Sequence, residues 1–199
     1  MRVADTTAVD SFLHVQEKLG EMVIELELFR AAYYGGEAMA RQNPNGVWSV
    51  HQPAVAAATQ SMAQLNRIPA VIAGRNGVRA ATDITGFGLA GHACAVARQS
   101  GITLEIRAGA LPLLPSAREL AAANQPGGLQ SNRREFGPAV RFAAAIDPDL
   151  EALLFDPQTS GGLLLLVPPA NEAAVLSELP HARAIGVARA AGDHPIVVV

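Results

Sequence analysis

Five consecutive apolar residues, Leu163-Leu164-Leu165-Leu166-Val167, follow directly on Gly161-Gly162. A strand with one face in water alternates apolar and polar residues. An unbroken apolar run of this length reads instead as a strand buried on both faces. Other segments supply the elements around it. Ile102-Thr103-Leu104-Glu105-Ile106 alternates as a strand should, and Ala184–Ala188, Pro195–Val199 and a short stretch near Val78–Thr82 also read as strands. Helical spacing or boundaries mark Leu89–Gln99 (ended by Ser100-Gly101), Pro115–Ala123, Pro148–Phe155 and Ala170–Leu179. Pro53 suits a first helical position, with Val55, Ala58, Met62 and Leu65 on one apolar face. Strands alternating with helices predict an α/β or α+β layered domain.

The first 47 residues differ in character. Val9, Phe12, Leu13, Gln16, Leu19, Met22, Val23 and Leu26 follow helical spacing with one polar exception, yet Ile24-Glu25-Leu26-Glu27-Leu28 alternates like a strand, so both readings stay open. Gly35-Gly36 and Asn43-Pro44-Asn45-Gly46 break the pattern, the second as a turn. The expected organisation is an arm or linking region over 1–47 and a domain over 48–199.

Composition removes several function classes. Of 199 residues, 50% are apolar and 17% charged, which is the balance of a globular chain. The net charge is −3, and Lys18 is the only lysine. Without a basic stripe, nucleic acid and anionic membrane are poor partners. Cys94 is the only cysteine, so neither an internal disulfide nor a cysteine-based zinc site forms within one chain. No charged start with a following apolar stretch marks a signal peptide, and no run of ~18 apolar residues would span a bilayer. The expected location is the cytoplasm.

Chemistry concentrates in three glycine-containing segments. In Asp83-Ile84-Thr85-Gly86-Phe87-Gly88, an acid ends a strand and two glycines lead into a helix. The unpaired N–H groups and partial positive charge of a helix start suit a phosphate oxygen. Thr85 can cap that helix or offer its hydroxyl, and Asp83 at the mouth suits Mg²⁺, which takes one or two carboxylates and keeps its other positions for water and phosphate. The bland alternative is that Asp83 and Thr85 cap and the glycines turn. His92, about one turn into the helix, is read as packed at a helix–sheet junction, Phe87 and Leu89 as core, and Cys94 as a small buried hydrophobe. In Asp156-Pro157-Gln158-Thr159-Ser160-Gly161-Gly162, two hydroxyls and two glycines precede the buried strand. This loop either faces substrate or phosphate, or packs against the first motif with Asp156 capping it. Pro126-Gly127-Gly128-Leu129 forms a third loop, with Asn132 a candidate polar contact.

Together these segments resemble the C-terminal domain of selenophosphate synthetase (selenide, water dikinase), in the superfamily of aminoimidazole ribonucleotide synthetase. The resemblance runs from about Leu28 and is strongest from Leu65 onward. It implies a PurM-like three-layer α/β/α domain with a mixed sheet. It further implies that Asp83 is a metal ligand, and that Thr85, Gly86, Gly88, Gly127, Gly128, Asn132, Thr159, Ser160, Gly161 and Gly162 face the nucleotide or its phosphates. ATP with Mg²⁺ and selenide are the implied ligands. The implied reaction is phosphoryl transfer to selenide, with ADP hydrolysed onward to AMP and phosphate. Leu129 stands where threonine is more usual, so the hydroxyl contact that the resemblance would imply there has no counterpart. Cys94 is not the family's reactive cysteine or selenocysteine, which belongs to an N-terminal glycine-rich loop.

Phosphoryl transfer needs several positive groups and metal ions around the triphosphate. The family supplies most of them from an N-terminal domain, through a glycine-rich loop, a lysine and further aspartates. Here Lys18-Leu19-Gly20 has the wrong spacing, and Asp5 and Asp10 fall in no family motif. The expectation is a catalytically incomplete chain: a fragment, a truncated gene product or one half of a split enzyme, completed by an N-terminal domain or partner chain. A homodimer is compatible with the resemblance. Two competing readings remain: a non-catalytic nucleotide-binding remnant, and another activity of the same superfamily.

Overall fold

The structure is a computed structural model that describes residues 21–25, 40–42, 48–50, 52–121 and 125–199. Its centre is a seven-stranded mixed sheet in the order β4-β7-β1-β8-β5-β9-β6. These strands are β1 (Glu21–Glu25), β4 (Ala80–Asp83), β5 (Ile102–Ile106), β6 (Val140–Phe142), β7 (Leu163–Val167), β8 (Arg183–Ala190) and β9 (Ile196–Val198). The pairs β5–β9 and β6–β9 are parallel and the other pairs antiparallel. A separate antiparallel pair joins β2 (Ala40–Gln42) to β3 (Trp48–Val50). The helices are α1 (Gln52–Ala63), α2 (Arg67–Arg75), α3 (Gly88–Ser100), α4 (Ala117–Ala121), α5 (Gly127–Phe136), α6 (Pro148–Leu154) and α7 (Glu172–Glu178).

The apolar run behaves as its composition demands. Leu164 and Leu166 of β7 join the cluster of Leu89, Ala90 and Ala93 on α3 and Ala152–Leu154 on α6. Leu165 and Val167 point the other way, into Ile72 and Ala73 of α2 and Val175 of α7. Alternate residues of one strand thus feed two cores, and the molecule has three layers, α/β/α. Burial of this strand's side chains stabilises it by about 2 kcal/mol each.

Several elements depart from the sequence expectations. Pro126-Gly127-Gly128 is a helix start and not a loop: Pro126 (φ −63°, ψ 157°) is the N-cap of α5. Proline lacks an N–H, and at a helix start the first N–H groups have no intrahelical acceptor, so no helix bond is lost; Leu129–Phe136 carry the helix onward. Helix α2 was not foreseen; Pro69 lies in its first turn, where proline is tolerated. Strand β6 was also unforeseen, being only three residues long. Leu65 does not extend the apolar face of α1, which ends at Ala63; it is 79% exposed. Between the competing readings of the N-terminal stretch, Glu21–Glu25 is a strand, seated between β7 and β8. The readings at Val9–Leu19, Lys18–Gly20, Gly35-Gly36 and Asn43–Gly46, and the start of the resemblance near Leu28, lie outside the described residues.

Candidate functional site

The edge strand β4 ends at Asp83, whose side chain is exposed. The chain then continues the sheet's pairing for one more step. Ile84 N–H donates to the Gly162 carbonyl at 3.0 Å, and Gly161 N–H donates to the Ile84 carbonyl at 2.7 Å. Ile84 is fully buried, which pins the turn beyond it. At Thr85 the carbonyl accepts two N–H groups, from Gly88 at 2.9 Å and from Gln158 at 3.0 Å. The first and second motifs are therefore joined directly through backbone hydrogen bonds.

That joint requires glycine. Gly88 has φ +67°, and a Cβ there would lie 2.9 Å from the Asp156 carbonyl oxygen and 2.9 Å from the Phe155 carbonyl carbon. The third motif closes the assembly. Asn132 is buried on α5, and its Nδ2 donates to the Gly86 carbonyl at 2.9 Å and the Phe155 carbonyl at 3.0 Å. A Cβ on Gly128 would meet Pro157 Cγ at 2.8 Å. Three segments far apart in sequence thus form one compact corner of the fold.

The corner sorts the candidate residues. Asp83, Gly86, Gly127, Gly128 and Thr159 are exposed and form a rim, with Thr85 and Ser160 half-buried beside it. Gly88, Asn132, Gly161 and Gly162 are buried and support the rim from below. Asn132 therefore spends its donor on the protein's own carbonyls.

Thr85 does not cap α3, whose N-cap is Phe87 without a side-chain cap bond. Instead Thr85 N–H donates to His92 Nε2 at 3.1 Å, and the Thr85 hydroxyl lies 3.1 Å from the same nitrogen. A nitrogen that accepts a backbone N–H carries no proton, so the imidazole is neutral with its hydrogen on Nδ1. Burial lowers the His92 pKa, against the opposing pull of the Asp83 charge. His92 thus fixes the turn in which Asp83 and Thr85 sit. Phe87, expected in the core, is 58% exposed at the crest of this turn. Its ring stands 5.5 Å from both His92 and Phe136. The left-handed glycine after it swings the chain inward only at Leu89, which is fully buried.

Asp156 is a buried carboxyl and not a cap. It is 7% exposed, and its Oδ2 accepts from Gln158 Nε2 at 2.9 Å. Burial pushes its pKa up to about 7, with the Gln158 hydrogen bond pulling the other way. The Asp156–Gln158 pair was missed in the sequence; an amide two residues from an acid carries no signal until both are known to be buried. Cys94 is fully buried, and desolvation raises its pKa, so it is a packed thiol as expected.

Among the described residues, no group of three or more His, Cys, Asp or Glu side chains is arranged to hold a metal ion. Asp83 alone offers an exposed carboxylate in this corner, enough for one position of a Mg²⁺ shell and not for a closed site. No helix among the described residues is long and apolar enough to cross a membrane.

Comparison with known proteins agrees with this architecture. The family described as "AIR synthase related protein, C-terminal domain" matches residues 31–199. The selenide, water dikinase of Dechloromonas aromatica is 40% identical over 136 residues, covering 65% of this chain and 39% of that one. The protein of the same name from Pelobacter propionicus is 43% identical over 135 residues, covering 67% and 38%. The chain therefore spans about two fifths of the length of these relatives. Among solved structures, hydrogenase maturation protein HypE in complex with ATP aligns with a TM-score of 0.53 at 18% identity, covering 89% of this chain and 46% of that one. Thiamine monophosphate kinase from Aquifex aeolicus aligns with a TM-score of 0.52 at 18% identity, covering 91% and 50%. Both likenesses concern the fold. With the family match running through residues 31–199, and so through every strand of the large sheet except β1, the described helices and all three motifs, this chain belongs to the AIR synthase related proteins and carries their C-terminal domain.

Proposed function

We propose that this chain is the C-terminal domain of a selenide, water dikinase-type phosphotransferase, with Asp83 facing the Mg²⁺-bound phosphates of ATP. The observation that carries the reading is the exposed Asp83 carboxylate, on a rim that three separate motifs combine to build. The names of relatives 40% and 43% identical over 136 and 135 residues support the selenide chemistry. Asp83 would supply one ligand to the metal, which would neutralise charge on the phosphates. Thr159, Ser160 and the exposed backbone at Gly86, Gly127 and Gly128 would line the phosphate side. The remaining ligands and the selenide site belong to polypeptide that the relatives have beyond the matched region, in the same or a partner chain. The domain assignment of 48–199 and the cytoplasmic location are part of this reading, as is a homodimer.

The test is complementation. The complementary part of the Dechloromonas aromatica relative is supplied in trans and as a fusion, and selenide-dependent AMP formation is followed with ³¹P detection of selenophosphate. The expected result is turnover that Asp83→Asn abolishes while the circular dichroism spectrum is unchanged. Turnover without dependence on Asp83 would remove the carboxylate from the site. Absence of turnover, where the relative's own domain restores it, would favour a second reading. That reading, a nucleotide-binding remnant without catalysis, draws on Asp83 belonging, among the described residues, to no group of three or more His, Cys, Asp or Glu side chains that could hold a metal.

A further inference from the structure

We infer that the Asp156 carboxyl and the Gln158 amide form a proton-dependent latch that fastens the Asp156–Gly162 loop to the Thr85 turn. The latch goes beyond the proposed function, since it concerns the shape of the rim whatever the rim binds. Its geometry is a chain of contacts. Gln158 Nε2 donates to Asp156 Oδ2 at 2.9 Å and to the Asp156 carbonyl at 3.1 Å. Gln158 Oε1 is buried with no hydrogen-bond partner, so the amide is anchored through Asp156. The Gln158 backbone N–H in turn donates to the Thr85 carbonyl, and the Asp156 carbonyl abuts Gly88. Whatever moves the Asp156 side chain moves the contact between the two motifs.

The carboxyl has reason to move. Asp156 is 7% exposed and Gln158 only 3%. A buried carboxylate without a cation beside it is strongly disfavoured, so the closed loop prefers the neutral acid, with Oδ2 accepting from the amide and the proton on Oδ1. The charged groups on neighbouring elements do not relieve it. Arg133 of α5 is engaged by Glu151 of α6 at 3.0 Å and lies over the Phe155 ring. His92 of α3 is neutral against Thr85, and Asp83 of β4 is itself acidic. In an opened loop the carboxyl meets water and ionises as any aspartate does. Opening therefore releases a proton, and rising pH loosens the latch until the closed form also ionises near pH 7.

The experiment uses the whole chain, isotopically labelled, between pH 4.5 and 8.5. Amide protection factors are measured for Thr85, Gly88, Gln158 and Gly161, together with the ¹³C shift of the Asp156 carboxyl. The expected result is protection of these amides falling about tenfold per pH unit up to about pH 7 and levelling beyond. In Asp156→Asn, protection is expected to show no such fall. His92 cannot imitate the effect, because a lowered imidazole pKa makes protection rise with pH below 6.5. A carboxyl carbon titrating near the ordinary aspartate value of 3.8, or a fall that persists in Asp156→Asn, overturns the latch. Should that variant fail to fold, the carboxyl titration of the unaltered chain decides alone.

Discussion

Replacing Gly88 with alanine tests the claim that the corner is built by close backbone approach. Two costs add at this position. A non-glycine residue at φ +67° bears about 1–2 kcal/mol of left-handed strain. The new Cβ would also stand 2.9 to 3.0 Å from backbone atoms of Asp156, Phe155 and Leu154, and backbone cannot rotate away as a side-chain tip would. Inserting a methyl group into a packed site costs about 1–3 kcal/mol. Gly88→Ala is therefore expected to destabilise the chain by about 2–5 kcal/mol. The internal control is Gly86→Ala, two residues away in the same turn, where a Cβ meets nothing within 4 Å. That change is expected to stay within about 0.5 kcal/mol. Urea denaturation followed by circular dichroism reads both, as a fall in midpoint at unchanged slope for Gly88→Ala alone. Equal midpoints for the two variants would refute the packing argument.

Other outcomes follow from the same geometry. Asn132→Ala orphans the Gly86 and Phe155 carbonyls and is expected to cost about 2–3 kcal/mol in the same denaturation assay, with Asn132→Ser recovering little because its hydroxyl is too short to bridge both. Asp156 has its folded-state pKa raised from 3.8 to about 7, so the unfolded chain loses this proton first. Its contribution to stability is greatest below about pH 4, declines by about 1.4 kcal/mol per unit as pH rises through the interval to 7, and is flat above. Asp156→Asn should therefore lack this slope and be the more stable of the two at pH 8, by on the order of 4 kcal/mol; parallel pH profiles would show the carboxyl to be hydrated. Cys94, fully buried with a raised pKa, is expected to react with a thiol reagent only at the rate of unfolding, and rapid labelling of the native chain would contradict its burial.

Much of this fold was legible in the sequence because some signals are local. The run Leu163–Val167 declares a strand covered on both faces through its composition alone, and Ser100-Gly101 ends α3 where the left-handed glycine (φ +61°) indeed caps it. Asp83 at a strand end followed by a glycine turn was also readable, because the order of acid, hydroxyl and glycine needs no distant partner. Helix α2 was hidden by Pro69, although that residue sits where proline costs little. The N-terminal stretch carried both periods at once, and its strand is specified by the hydrogen bonds that β7 and β8 offer on either side.

The local sequence determined which segments turn, which run straight through the core, and which carboxylate and hydroxyls were available for chemistry. Tertiary structure alone decided which of those groups reach solvent. Asn132 is consumed by two carbonyls and Phe87 is turned outward, while Asp156 is sealed in and Asp83 left exposed. Two aspartates of identical chemistry thus end in opposite surroundings, and burial raises the pKa of Asp156; the access of water is a property of the packed whole that no neighbouring residue encodes.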